Sequence, residues 1–218
     1  MNKLFFLALC FSSVGCQSKH SQKPDLERGT SRAVVRDVPE WYLTKSPEHQ
    51  WDKTLFKLLN LGSLENGFDS LQIRIWIDCG YKAASLIVIE RTKNKWDATF
   101  YFFTAHYDED FNLSIQNLET ERKSPKSGWK NFSDNLLNTG LIDLPDFTKF
   151  LSKYNYPTHA DETLVEIGTP KKYRLYVYPE LGLNNKIAGG PANLHEALQL
   201  IEREFDFRRP CQDAPGSR

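Results

Sequence analysis

The sequence predicts an α+β domain, a mostly antiparallel sheet of about five to six strands with helices packed on one face. Three observations carry this. Strand-like runs follow one another between residues 71 and 103, joined by connectors short enough for hairpins. Helical periodicity takes over near residue 129, and a second pair of strand-like runs returns at 163–178 before a last helix. Strand and helix never alternate in the βαβ manner, so a doubly wound nucleotide site has no scaffold here.

Residues 38–211 carry the expected domain, beginning near Val38-Pro39-Glu40-Trp41. Ser46-Pro47-Glu48 reads as a helix start, with Ser46 as N-cap and Pro47 at the first helical position, where its missing N–H costs nothing. Trp51, Leu55, Leu58 and Leu59 then share a helical face, which Gly62 ends. The run Leu71–Asp78 alternates strictly, placing Leu71, Ile73, Ile75 and Ile77 on one face and Arg74 and Trp76 on the other. Ser85–Glu90 is apolar on both faces and reads as central, and Trp96–Phe103 is also two-sided. A weaker strand lies between Leu113 and Glu121.

Trp129, Phe132, Leu136 and Leu137 mark one later helix, and Phe147, Phe150, Leu151 and Tyr154 another. Thr163–Ile167 and Tyr173–Tyr178 read as strands joined through Gly168-Thr169-Pro170-Lys171. In the final helix Asn193 and Glu196 have the spacing of a capping box, and Leu194, Ala197, Leu198, Ile201 and Phe205 form the apolar stripe.

The residues before the domain read as an address. Met1-Asn2-Lys3 is a short positive start, and Leu4–Phe11 is an apolar run far below the roughly 20 residues that span a bilayer. Residues 1–15 therefore read as a signal peptide. The segment Ser13-Val14-Gly15-Cys16 resembles the lipobox of bacterial lipoproteins, with Ser13 where that family usually has Leu. The resemblance covers the first 16 residues and implies cleavage before Cys16, acylation of Cys16 and attachment to a membrane of the cell envelope. Gln17 in place of Asp after the cysteine implies the outer rather than the inner membrane. Residues 16–37 contain no aromatic and read as a flexible tether, and residues 212–218 as a disordered tail.

Charge excludes one class of partner. The chain has 28 basic and 28 acidic residues, and removing Lys3 with the leader leaves 27 against 28, a net −1. A nucleic-acid partner needs a basic face that this balance does not supply. Of four cysteines, Cys10 leaves with the leader and Cys16 is the anchor. Cys79 and Cys211 remain, either as a disulfide in an exported chain or as two buried thiols.

The chemical candidates are sparse, and no residue pattern calls for a cofactor. His195-Glu196 opens like a zinc-protease helix, but Gln199 stands where the second histidine must be, so no metal site is expected there. His106 and His159 each sit beside carboxylates near strand ends and would give a hydrolase an acid and a base if brought together. Solvated turn residues are the reading favoured for them. The sheet face away from the isoleucines carries Arg74 and Trp76, and the same alternation places Arg174, Tyr176 and Tyr178 with them. Arginine mixed with aromatics suits a protein-binding face, while cross-strand packing is the structural alternative. The expected role is that of a non-enzymatic envelope module with a protein partner. The alternatives are a carrier of a small apolar or glycan ligand, and a hydrolase using His106 and His159.

Overall fold

A computed structural model of the chain describes residues 33–44, 51–78, 84–107, 113–155 and 161–209. Seven strands form one sheet: β1 (Val35–Asp37), β2 (Leu71–Asp78), β3 (Ala84–Thr92), β4 (Lys95–Tyr107), β5 (Leu113–Arg122), β6 (Glu162–Gly168) and β7 (Lys172–Pro179). Their order across the sheet is β1-β7-β6-β2-β3-β4-β5. Every pairing is antiparallel except β1 with β7. The helices are α1 (Glu40–Leu43), α2 (Trp51–Leu58), α3 (Trp129–Asn138), α4 (Leu181–Asn184) and α5 (Gly190–Phe205), with 3₁₀ segments at Leu141–Asp143 and Phe147–Lys153. No helix among the described residues is long and apolar enough to cross a membrane.

The α+β class holds, and the sheet has one strand more than the sequence predicts. The added strand is β1, inside the stretch read as tether. All three of its residues are exposed, but its ladder with β7 is reinforced by Asp37, whose carboxylate lies 2.8 Å from Arg174 Nε and 3.5 Å from Lys172 Nζ. Beyond β1 the ladder on β7 continues by other means. Asp146 accepts the Val177 N–H at 3.1 Å with one oxygen, and with the other holds Trp41 Nε1 and its own helix-starting Thr148 N–H.

The sheet is covered on both faces. One face packs Ile73, Ile75, Ile87, Phe100, Val165 and Tyr176 against α3, α5 and the 3₁₀ segments. The other packs Trp76, Leu86, Val88, Leu164, Leu175 and Val177 against Tyr42, Leu55, Phe56, Leu59 and Leu64. The second layer comes from α1, α2 and the loop after them, which fold back over the strands that follow. Phe56 is the contact that closes it, 5.0 Å from the Trp76 ring and 5.0 Å below the Arg74 guanidinium. Burial of these two faces is the main driving force for the fold.

Local chemistry fixes the turns. Lys93 and Asn94, joining β3 to β4, both have positive φ (49° and 70°), the backbone of a two-residue turn whose twist matches the strands. Asn193 does not cap α5. The helix begins earlier, at Gly190, and the Asn193 amide instead donates to Thr139 O at 2.8 Å, tying α5 to the end of α3. The helix start expected at Ser46 and Pro47 lies outside the described residues.

Candidate functional site

The expected binding face is not a surface. Arg74, Trp76, Arg174, Tyr176 and Tyr178 are between 0 and 9% exposed. Nor do they share a face. Arg74 pairs with Glu166 across β2 and β6, and Glu166 pairs with Leu175 across β6 and β7, so Leu175 and Val177 lie with Arg74 and Trp76. Tyr176 and Tyr178 fall with the isoleucines instead. Alternation within one strand gives each residue's side, but the relative phase of two strands depends on their register, which the sequence does not display.

Each of the five has a structural job. The Arg74 guanidinium donates to Gln72 Oε1 (2.8 Å) and to the Gly62 carbonyl (2.6 Å), with the Glu166 carboxylate 3.9 Å away. Glu166 also accepts from Tyr173 Oη at 2.7 Å and from Trp76 Nε1 at 3.5 Å. Burial pulls the Arg74 pKa below its usual value and the charge of Glu166 opposes that pull. On the other face β7 hangs the segment 141–145 from its side chains. Arg174 donates to the carbonyls of Ile142 (2.7 Å) and Leu144 (2.9 Å), Tyr176 to Leu141 O (2.7 Å) and Tyr178 to Pro145 O. Burial raises the pKa of both tyrosines, so they remain hydroxyl donors.

Of the remaining histidine candidates, the structure describes His106. His106 is exposed on β4 opposite Ser114 of β5, and His159 lies outside the described residues. Cys16, Cys79 and Cys211 also lie outside them.

A cleft of about 600 Å³ lies elsewhere, at one end of the sheet. Antiparallel pairing builds it. Asp78 at the end of β2, Glu162 at the start of β6 and Pro179 at the end of β7 stand in one row across the sheet. Asp161 and Glu180 are one step further out, so the carboxylates of three chain segments collect at one edge. Asp78, Asp161 and Glu180 line the cleft with Ile77, Thr163 and Leu181, and it is completed by Gly182, Leu183, His195 of α5 and Arg209.

Asp161 and Glu180 clasp the rim. The Glu180 N–H donates to Asp161 O at 2.7 Å, and the Asp161 N–H donates to the Glu180 carboxylate at 3.3 Å. Glu180 is left-handed (φ 44°, ψ 49°), a conformation a side chain of this size adopts at a cost of about 1–3 kcal/mol. It is held there by Leu183, Asn184 and the Asn184 amide, all donating to its carbonyl. The strained backbone sits where the chain turns from β7 into α4 along the cleft.

Burial raises the pKa of both carboxyls, and for Glu180 the Asp161 charge adds to the rise while its hydrogen bond opposes it. The His195 pKa is lowered, first by burial and then by the nearby Arg209, which favours the neutral imidazole. Its Nδ1 is buried and accepts no hydrogen bond. Arg209 itself is paired with Glu202.

Sequence reading reached His195 only as half of a zinc motif, and Asp161 only as a neighbour of His159. The usable signal was positional: a carboxylate at the start of one strand and one at the end of its antiparallel neighbour must meet at one sheet edge. A smaller pocket of about 240 Å³ between α2 and the other sheet face has Glu166 and Tyr173 in its wall, both already engaged in the Arg74 cluster. Comparison of the chain with protein-family models, curated proteins and solved structures gives no match, so the role of each residue rests on its own geometry and chemistry.

Proposed function

We propose that the chain is an exported, lipid-anchored envelope protein whose domain binds a small molecule in the cleft at the ends of β2, β6 and β7. The observation that carries the binding reading is the cleft itself. Its volume of about 600 Å³ is in the range of small-ligand sites, and its wall combines an apolar strip (Ile77, Leu181) with a few convergent polar groups (Asp161, Glu180, His195). The protein-binding reading drew on residues that lie on opposite faces of the sheet and are covered there by α2 and by the segment 141–145.

Gly182 provides the test. A Cβ added there meets nothing within 4 Å and the residue is helical, so a large side chain enters open space at the cleft wall without backbone strain. A low-molecular-mass filtrate of a cell lysate is expected to raise the melting temperature of the wild-type protein and not that of Gly182→Phe. Equal shifts in the two proteins, or none in either, would overturn the reading.

The envelope part of the proposal is supported by the Ser13-Val14-Gly15-Cys16 pattern. A disulfide between Cys79 and Cys211 belongs with it. Cys79 follows Asp78 and Cys211 comes two residues after Arg209, and both of those neighbours line the same cleft. Closing so long a loop stabilises by about 5 kcal/mol in the chain-entropy model. Intact-mass analysis of the protein from membranes, with thiol labelling after denaturation, tests both. Acyl mass on Cys16 and no labelling of Cys79 or Cys211 are expected. An unacylated Cys16 removes the anchor, and two labelled cysteines remove the bridge.

A further inference from the structure

The two ends of the sheet are not alike. Antiparallel pairing brings the β3–β4 turn, the β6–β7 turn and the start of β2 to one end, opposite the cleft. The two turns are three strand positions apart in the sheet order, roughly 14 Å. They carry Lys93, Lys95 and Lys171, all exposed and none with an acidic partner among the described residues. Acids nearby are already engaged: Asp97 lies 3.8 Å from Arg122, Glu65 2.8 Å from Arg36, and Asp37 2.8 Å from Arg174. Against the three lysines stands Asp69, exposed just before β2. At the other end, roughly 25 Å away along β2, the strands finish in Asp78, Asp161, Glu162 and Glu180 instead.

Two further observations say what the lysine end meets. Trp96, partly exposed beside the β3–β4 turn, lies under the Arg91 guanidinium, 5.5 Å from the ring centroid. A tryptophan among cations suits the headgroup layer of a bilayer, where the ring sits at the boundary and the cations meet phosphates. The chain also enters the domain here. β1 runs parallel to β7 and starts beside the β6–β7 turn, where the Val35 N–H donates to Lys171 O at 2.9 Å. Residues 17–34 lie between that point and Cys16, a reach of roughly 25 Å for a flexible chain. An anchor at Cys16 therefore tethers the domain by its lysine end and not by its cleft end.

We propose that the lysine end of the sheet is the face the domain lays on a bilayer of anionic phospholipid, with Lys93, Lys95 and Lys171 on the phosphates, Trp96 at the headgroup boundary and the cleft turned away. This goes beyond the small-molecule reading of the cleft and rests on the reading of the chain as an envelope protein. Each lysine held near an anionic surface contributes about fivefold in binding, an attraction that salt screens.

Cosedimentation of the full chain with vesicles tests this, in the Cys16→Ser form so that no acyl chain contributes. Vesicles of phosphatidylcholine are compared at low salt with vesicles of equal parts phosphatidylcholine and phosphatidylglycerol. Binding to the anionic vesicles is expected to be at least about tenfold tighter, and Lys93→Gln, Lys95→Gln and Lys171→Gln together are expected to weaken it at least about tenfold. Lys149, Lys153 and Lys186 are exposed on the segments flanking the far end of β7 and provide the control. Changing those three to Gln removes the same charge and is expected to leave binding within about twofold. Circular dichroism melts verify that both variants are folded. Equal binding to the two kinds of vesicle, or binding to neither, overturns the proposal. Wild-type affinity in the turn variant also overturns it, assigning the attraction to Lys19, Lys23, Arg28 and Arg32 of the tether. An equal loss in the control overturns it too, assigning the attraction to net charge alone. The anchor is judged separately by the acyl mass on Cys16, and a failure there leaves the vesicle result standing.

Discussion

Glu166 and Asp161 show how differently two carboxylates on one strand and its approach can be used. Glu166 is buried against Arg74, with Tyr173 and Trp76 donating to it, so its charge is matched inside the protein. Glu166→Ala leaves the guanidinium buried without its counter-charge and is expected to destabilise by about 3–5 kcal/mol, read as a shift in the chemical-denaturation midpoint. A wild-type midpoint would show that solvent reaches Arg74. By the same logic Arg74→Ala combined with Tyr176→Ala cannot leave folding intact, since it removes a hub from each face of the sheet.

Asp161 has the opposite sign. Burial raises the pKa of Asp161 and Glu180, so the folded state disfavours their charged forms. A carboxylate whose folded pKa lies above its unfolded value weakens the fold once pH exceeds the folded pKa. The penalty vanishes below the unfolded pKa, where both states are protonated. Asp161→Asn is therefore expected to raise the melting temperature at neutral pH, with the gain disappearing as pH falls through the carboxylate range. A variant destabilised at neutral pH would mean that the charge already has a partner. The strand position of Glu166 was legible in the sequence, and Asp161 and Glu180 stand just beyond the strand runs. Their roles were not, because a carboxylate's role depends on which cations stand beside it in space.

At the scale of elements, six of the seven strands were legible because their signals are local: strict alternation in β2, two-sided apolar runs in β3 and β4, and turn residues between them. The strand missed, β1, carries no apolar pattern and exists through its ladder and Asp37 contacts with β7. The capping box at Asn193 failed for a related reason. Asn193 has a tertiary acceptor in Thr139 O, and Gly189-Gly190-Pro191 starts the helix four residues sooner. Pro191 suits a first turn, where no intrahelical N–H is lost.

Gly190 has a packing role besides, since a Cβ there would fall 1.8 Å from the Tyr178 hydroxyl. The β3–β4 turn offers a test at this scale. Lys93 and Asn94 occupy left-handed positions that Asn-Gly fills with less strain, so Lys93→Asn with Asn94→Gly is expected to stabilise by about 1 kcal/mol in denaturant titration. A loss of stability would mean that the Lys93 side chain contributes more than its backbone costs.

For the whole molecule, the layered packing explains why the expected binding surface was the wrong one. A strictly alternating strand tells which side chains share a face, and water on the second face is the simplest assumption for an antiparallel sheet. Here the chain before β2 returns across that face and turns Arg74 and Trp76 into core, which no pattern inside β2 announces. With both faces covered, the cleft of about 600 Å³ opens at the sheet's end. The proposed function puts its ligand in that recess.

The most direct test of this account is the methyl spectrum of the labelled protein as the low-molecular-mass lysate filtrate is added. Shifts are expected at Ile77, Thr163, Leu181 and Leu183, which line the cleft, while Val88, Leu164 and Val177 on the covered second face stay in place. Shifts confined to that second face, or no shift at any of the four cleft methyls, would contradict it.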